Sequence, residues 1–436
     1  MRSDEGLVRA VGVRGLTAAL INYTVGSGIF VLPALVAGVV GGAAPVVYII
    51  CAIAIGCVVT CFAAAGSRVS LSGGTYGYAE AAFGPYAGFV VATSLFVTCV
   101  LAGAAVMNAF IGTLGQIQPV LATPLVRILL VIAIYGSLTM INIRGVKLGS
   151  AVVQIVTVAK LLPLVMLAVV GAFFIDTQNL QWSGFPASGQ LARASIMLIF
   201  AFMGTEAAIS ASGEVRDPSR TVPRSIFFSL LTVAILYISI QFVAQGVLGP
   251  QLAANTKAPL AETARHVLGN GGQQLVLIGA AVSMLGYIAG DVLAAPRGLY
   301  ALGHDRLLPA ILGAVHPIHK TPHVSIVVYT ILSAVLAITS SFENLLVLSV
   351  LAALVVYLIC CLSAIALERK DIRMEGAEPL RLPLGPVIPL VATAIVIWLM
   401  TSSTQKEFIA MGAMLIVETV LYFVFRPRPL AVPTPS

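Results

Sequence analysis

Apolar runs of about 18 residues or more recur along this chain, separated by short segments that hold most of its Lys and Arg. As a helix, each run is long enough to cross a ~30 Å hydrocarbon core. The pattern predicts twelve spans, at roughly 12–40, 45–67, 84–114, 125–143, 150–174, 190–212, 224–248, 273–302, 322–341, 345–367, 386–403 and 407–425. Two spans are interrupted near their middle: the first by TVGSGIF (24–30) and the sixth by FMGTE (202–206). Glycine is a poor helix former, so both stretches invite the helix to open. Opening frees backbone N–H and C=O groups that lipid cannot satisfy, so a break survives only beside protein or a polar cavity. Matched interruptions five spans apart point to two inverted five-helix repeats with a binding site at their interface. The expected fold is therefore an all-α polytopic membrane protein. Its five-plus-five inverted-repeat core has broken helices 1 and 6. Residues 12–174 form the first repeat, 190–367 the second and 386–425 two further helices, all within one integral membrane domain.

Composition agrees with this pattern. Of 436 residues, 59 % are hydrophobic and 9 % charged, against about 25 % charged in a soluble domain. The net charge of +7 does not indicate nucleic acid, because no basic domain exists outside the predicted spans. With the N-terminus inside, 18 basic residues fall on the inner side and 5 on the outer, which places both termini in the cytoplasm. The six cysteines lie within apolar segments and read as small buried hydrophobes. The first fifteen residues lack a cleavable signal pattern, so the first span is expected to remain in the mature protein.

Candidate chemistry clusters at the two interruptions. Amides freed at Gly26, Ser27 and Gly28 would stand at the positive end of the helix beginning near Ile29 and favour a carboxylate. Carbonyls of TVG and FMG would accept from an ammonium, so the two breaks together suit the charged ends of an α-amino acid. The alternative is that the glycines only permit close helix packing. Glu206, inside the second break, is costly at that depth and is a functional residue by default. Desolvation favours its neutral acid, which suits proton binding; the alternative is a hydrogen-bonded pin for the broken helix.

Lys160 sits about ten residues from either end of the fifth span, ~15 Å deep and beyond easy snorkelling. It could replace a bound cation, exchange a proton, or hold carbonyls of the broken first helix. Asp291 and Arg297, six residues apart in the eighth span, do not share a helical face. Asp291 could touch ligand or pair with another span. Glu418 lies outside the ten-helix core and reads as a local or oligomer-interface group.

Catalysis is not expected. No histidine lies mid-membrane to activate Ser27, and the paired-Asp motif of a membrane prenyltransferase is absent from the sequence. HPIHKTPH (316–323) looks metal-like, but its prolines break the helix that would align His316 with His319, so no metal site is expected. No cofactor is called for, and a proton is the candidate coupling ion.

Several further segments give the chain a specific resemblance. GSGIF (26–30), SGGTYGYAEAAFGPYAGF (72–89), NIRGVKLGS (142–150), FAFMGTEAAISASGEVRDPSRTVPRSI (200–226), RGLYALGHDRLLP (297–309) and LPLGPVIP (382–389) together resemble the amino acid–polyamine–organocation superfamily of transporters. The likeness runs from the first span to the eleventh, and it implies a LeuT-like fold with alternating access. By resemblance, Gly26, Ser27 and Gly28 would take a substrate carboxylate. The carbonyls of Thr24 and Met203, with Gly204 beside them, would take the amino group. Phe200 holds the aromatic gate position, and Lys160 matches a lysine that stands in place of sodium in sodium-independent members. Glu206 matches a carboxylate tied to proton dependence. Cys99 and Gly103 fall where relatives face the substrate side chain, and Asp291 falls near an eighth-span gate where arginine-selective members carry an aromatic.

The expectation is a sodium-independent L-amino acid transporter of the cytoplasmic membrane, either proton-coupled or exchanging, and either monomeric or homodimeric. Its partners would be a small-molecule substrate and the bilayer, with no nucleic acid. The alternatives are a polyamine transporter on the same fold, with Glu206 and Asp291 as counter-charges, and a transport-dead sensor or scaffold subunit.

Overall fold

A computed structural model describes residues 12–69, 74–145, 150–181, 184–204, 215, 217–373, 379–380, 382 and 384–425. Long apolar runs become helices because a backbone in lipid must satisfy its own hydrogen bonds. In chain order these are α1 (Val13–Thr24), α2 (Gly28–Val40), α3 (Ala44–Arg68), α4 (Thr75–Phe83), α5 (Pro85–Ile117), α6 (Pro124–Ile143) and α7 (Ser150–Gly171). There follow α8 (Ser188–Phe202), α9 (Pro218–Leu248), α10 (Pro259–His304), α11 (His323–Thr339), α12 (Phe342–Arg369), α13 (Val387–Thr401) and α14 (Gln405–Phe425). Among the described residues, seven helical segments are long and apolar enough to cross a membrane, and four shorter apolar helices accompany them.

Prolines open α5, α6, α9 and α10 at the first helical turn, where a missing N–H costs nothing. Between α2 and α3 the chain reverses within Gly41–Ala43, and Gly41 takes φ 58°, a left-handed angle that suits glycine. α10 starts earlier than the apolar pattern suggests. Its helix begins at Pro259 and bends at Gly269 (φ 69°), so the charged stretch Glu262–His266 is helical rather than loop.

α5 occupies the middle of the bundle, packed along α10 and α12. α3 and α1 lie against α9, and α2 lies against α8. Burial separates centre from edge: 78 % of the apolar window of α12 is enclosed, against 11 % in each of α6 and α14. The outward faces carry Leu125, Ile132, Val417 and Phe423, the apolar surface that a lipid environment requires.

Candidate functional site

The first apolar run stops being helical between α1 and α2. Val25 caps α1 with φ −77° and ψ 84°, the Gly26 amide turns back to the Thr24 carbonyl at 2.9 Å, and Ser27 leads into α2. An interruption here leaves polar backbone on both sides, and the protein deals with each side differently.

On the α1 side the carbonyls of Asn22, Thr24 and Val25 are taken. Lys160 donates its ammonium to the carbonyls of Asn22 (2.5 Å) and Val25 (2.9 Å), and the Ser283 hydroxyl also reaches Val25 at 3.4 Å. The negative end of a helix favours a cation at this point. The Thr24 carbonyl accepts from Gly26 and from the Tyr237 hydroxyl at 3.0 Å. Both of its lone pairs are thereby engaged, which removes it as an acceptor for an ammonium ligand, the role that the resemblance implied.

On the α2 side the Gly26 amide, expected to meet a carboxylate, is spent on the Thr24 carbonyl and the Phe30 amide on the Ser27 carbonyl, while the amides of Ser27, Gly28 and Ile29 have no acceptor among the described residues. First-turn amides of a helix have no intrahelical acceptor, and the Ser27 hydroxyl, 1 % exposed, has no hydrogen-bond partner among the described residues. Ser27, Gly26 and Gly28 line a small cavity together with Tyr23, Thr24, Phe200 and Met203. Ala102, Val106 and Tyr287 close its remaining sides. Phe200 meets the Phe342 ring edge-on, with centroids 6.0 Å apart. The water-accessible space is about 20 Å³, enough for roughly one water. Admitting an amino acid therefore requires the lining to part. A larger bowl of about 690 Å³ lies at the far end of α2, around Gly41 and Gln190, away from the break.

The two outer glycines of GSG differ. A Cβ on Gly28 would lie 2.7 Å from the Ala201 Cα, so this glycine lets α2 and α8 cross backbone to backbone. A Cβ on Gly26 would meet only the edge of Tyr287 at 3.5 Å, ordinary contact. Gly204 takes φ 115° against the Tyr23 carbonyl, at the end of α8. Glu206 lies outside the described residues.

Three expected side-chain-facing residues sit elsewhere. α5 presents Ala102 and Val106 to the cavity, whereas Cys99 and Gly103 lie on the neighbouring stripe. Asp291 accepts from the Tyr329 hydroxyl at 2.5 Å, beneath Gly103, and does not line the cavity. The aromatic that α10 sends to the cavity is Tyr287, one turn earlier. Nothing in the sequence separates these adjacent turns, because every face of a buried helix is apolar.

Glu418 is a local group. It accepts from the Ser94 hydroxyl and ties α14 to α5. In HPIHKTPH, the His316 Nδ1 accepts the amides of Ile318 and His319, so it closes a turn. Burial, with the rings of His319 and His323, holds His316 below the ordinary histidine value.

Helices long and apolar enough to cross a membrane make this an integral membrane protein, and its family and relatives are transporters rather than enzymes. The family profile "Amino acid permease" matches residues 11–424, and the chain belongs to that family, within the amino acid–polyamine–organocation superfamily. Similar proteins of Bacillus subtilis (strain 168) include the branched-chain amino acid permease BcaP, 26 % identical over 97 % of this chain and 94 % of its own. The methylthioribose transporter of the same organism is 25 % identical over 97 % and 94 %. The serine/threonine exchanger SteT is 26 % identical over 96 % and 93 %.

Proposed function

We propose that this permease carries a small zwitterionic L-amino acid across the cytoplasmic membrane by alternating access, without sodium, as a proton-coupled transporter or an exchanger. The carrying observation is the asymmetric treatment of the break: the Asn22, Thr24 and Val25 carbonyls engaged by Lys160, Tyr237 and the Gly26 amide, and a Ser27 hydroxyl that lines the cavity with no partner among the described residues. Free donors at a helix N-terminus suit a carboxylate. An ammonium already held on the carbonyls of Asn22 and Val25 fills a place where a metal cation would otherwise be coordinated, which supports sodium independence. In this reading twelve spans form two inverted repeats, 12–174 and 190–367, with both termini cytoplasmic, and Lys160 and Glu206 serve coupling.

The described lining contains no acidic side chain, which disfavours a polyamine. The kinship with BcaP and SteT favours amino acids, and the kinship with the methylthioribose transporter makes that sugar the competitor to include. The test is a ligand panel on the purified protein, read by thermal shift and then by uptake into proteoliposomes. Stabilisation and flux with at least one of L-leucine, L-isoleucine, L-serine or L-threonine, unaffected by removing sodium, is the expected result. A response confined to putrescine, spermidine or methylthioribose would overturn the substrate class.

A further inference from the structure

A buried polar cluster lies one helical turn from the cavity, and Lys160 is not part of it. Asp291, 7 % exposed, accepts from the Tyr329 hydroxyl at 2.5 Å. The Cys99 thiol is placed to donate to the same carboxylate. Gly103 makes the room: a Cβ there would collide with the Tyr329 hydroxyl and sit 2.9 Å from the Asp291 Oδ2. Tyr135 Oη, 3.5 Å from that same Cβ position, is buried with no hydrogen-bond partner among the described residues. It lies beside Ser333, whose hydroxyl goes to the Val100 carbonyl at 3.4 Å.

The groups around Asp291 are therefore Tyr329 from α11 and Cys99 from α5 at hydrogen-bond reach, with Tyr135 from α6 and Tyr23 from α1 within range of its charge. On its own helix the nearest charge is Arg297, six residues on and exposed. No salt bridge reaches Asp291 among the described residues.

A carboxylate without a cation is costly in such surroundings. Hydroxyls, however, can satisfy either protonation state, donating to a carboxylate or accepting from an acid. We propose that Asp291, Tyr329 and Tyr135 form a proton-binding site that biases the substrate cavity from behind. One proton from solvent forms one O–H bond on Asp291, and the cluster changes from one negative charge to none. The new acid proton needs an acceptor, which the Tyr329 oxygen supplies when its hydroxyl rotates away from Asp291, with the Tyr135 hydroxyl alongside.

The connection to the cavity is short. Tyr287 lines the cavity four residues before Asp291, about 6 Å along α10. Tyr23 lines it from α1 within reach of the Asp291 charge. Only the consequence for transport rests on the function proposed above; the titration itself does not.

The experiment is an infrared titration of the purified full-length protein in H2O and D2O, following the carboxylic C=O stretch. A pH-dependent band is expected that vanishes in Asp291→Asn, shifts in Tyr329→Phe and persists in Glu418→Gln. Bands unchanged in both Asp291→Asn and Tyr329→Phe would overturn the site, and Tyr329→Phe alone decides if the Asn variant fails to fold. In counterflow with L-leucine and L-serine, Asp291→Asn should flatten the pH profile, and a wild-type profile in that variant would overturn the coupling to the cavity. If wild type carries neither probe, the proposed function is what fails, while the infrared result still judges the site.

Discussion

Lys160 and Asp291 are both buried ionisable residues, 3 % and 7 % exposed, yet they are held in opposite ways. Lys160 is satisfied by backbone, through carbonyls that exist as acceptors only because α1 ends at Thr24. Asp291 is satisfied by side chains, through the Tyr329 hydroxyl of another helix and a space kept open by Gly103. A backbone-built site stands or falls with the path of the main chain. A site built from side chains can be adjusted one substitution at a time. The first arrangement suits binding the invariant ends of a ligand, and the second suits a group whose charge state is meant to change.

The comparison is tested most severely at Lys160. Lys160→Ala strips a charged donor from two buried carbonyls, at about 1–3 kcal/mol apiece. Flux is expected to fall by more than about tenfold, with a lowered melting temperature in detergent and expression retained. Near-normal flux in proteoliposomes would show that the ammonium only braces the break.

Next in size is Gly28→Val. Its added carbon meets the Ala201 backbone, which cannot rotate aside as a side chain can, so α2 and α8 must separate. Overpacking of this kind costs about 1–3 kcal/mol, and the upper end is expected, seen as loss of a monodisperse peak on gel filtration. Gly26→Ala should fold normally and weaken ligand binding, since its Cβ has only the Tyr287 edge nearby. If the two variants behave alike, the division of labour between these glycines is wrong.

Gly103→Ala asks the same question of the Asp291 cluster. The methyl displaces the Tyr329 hydroxyl from Asp291 without entering the cavity. A loss of about 1–2 kcal/mol is expected, together with the infrared shift of Tyr329→Phe and little change in ligand affinity at a fixed pH. A large drop in affinity would return Gly103 to the substrate pocket where the family resemblance put it.

The uneven legibility of these residues has a physical basis. The interruption at residues 25–27 shows in the sequence because helix propensity is local, and two glycines flanking a serine act within a few residues. Lys160 shows because depth follows from counting along a span. Which stripe of α5 faces the cavity does not show: in a helix enclosed on most sides, Cys99, Ala102, Gly103 and Val106 are equally small or apolar. The choice is made by neighbours far along the chain, Tyr135, Tyr287, Asp291 and Tyr329. The engagement of the Thr24 carbonyl is hidden for the same reason, because Tyr237 lies 213 residues away. The amphipathic start of α10 was masked by its charges, which mark a helix outside the apolar layer as readily as a loop.

The smallest expected effect falls on Ser27, and it separates ligand contact from fold most cleanly. Its hydroxyl is buried and has no partner among the described residues. In the empty protein that is a cost, so Ser27→Ala should leave the melting temperature unchanged or slightly raised. With ligand bound, the same hydroxyl would complete a carboxylate's hydrogen bonds, and a bond to a charged group is worth about 1.5–3 kcal/mol. Part of that is already supplied by the neighbouring amides, so a loss of about three- to tenfold in affinity is expected, with maximal flux little altered. Calorimetry on the bound amino acid gives the affinity, and thermal unfolding without ligand gives the stability. A fall in stability with no change in affinity would mean that the hydroxyl serves the break itself, and the free donors of α2 would then have to act through their amides alone.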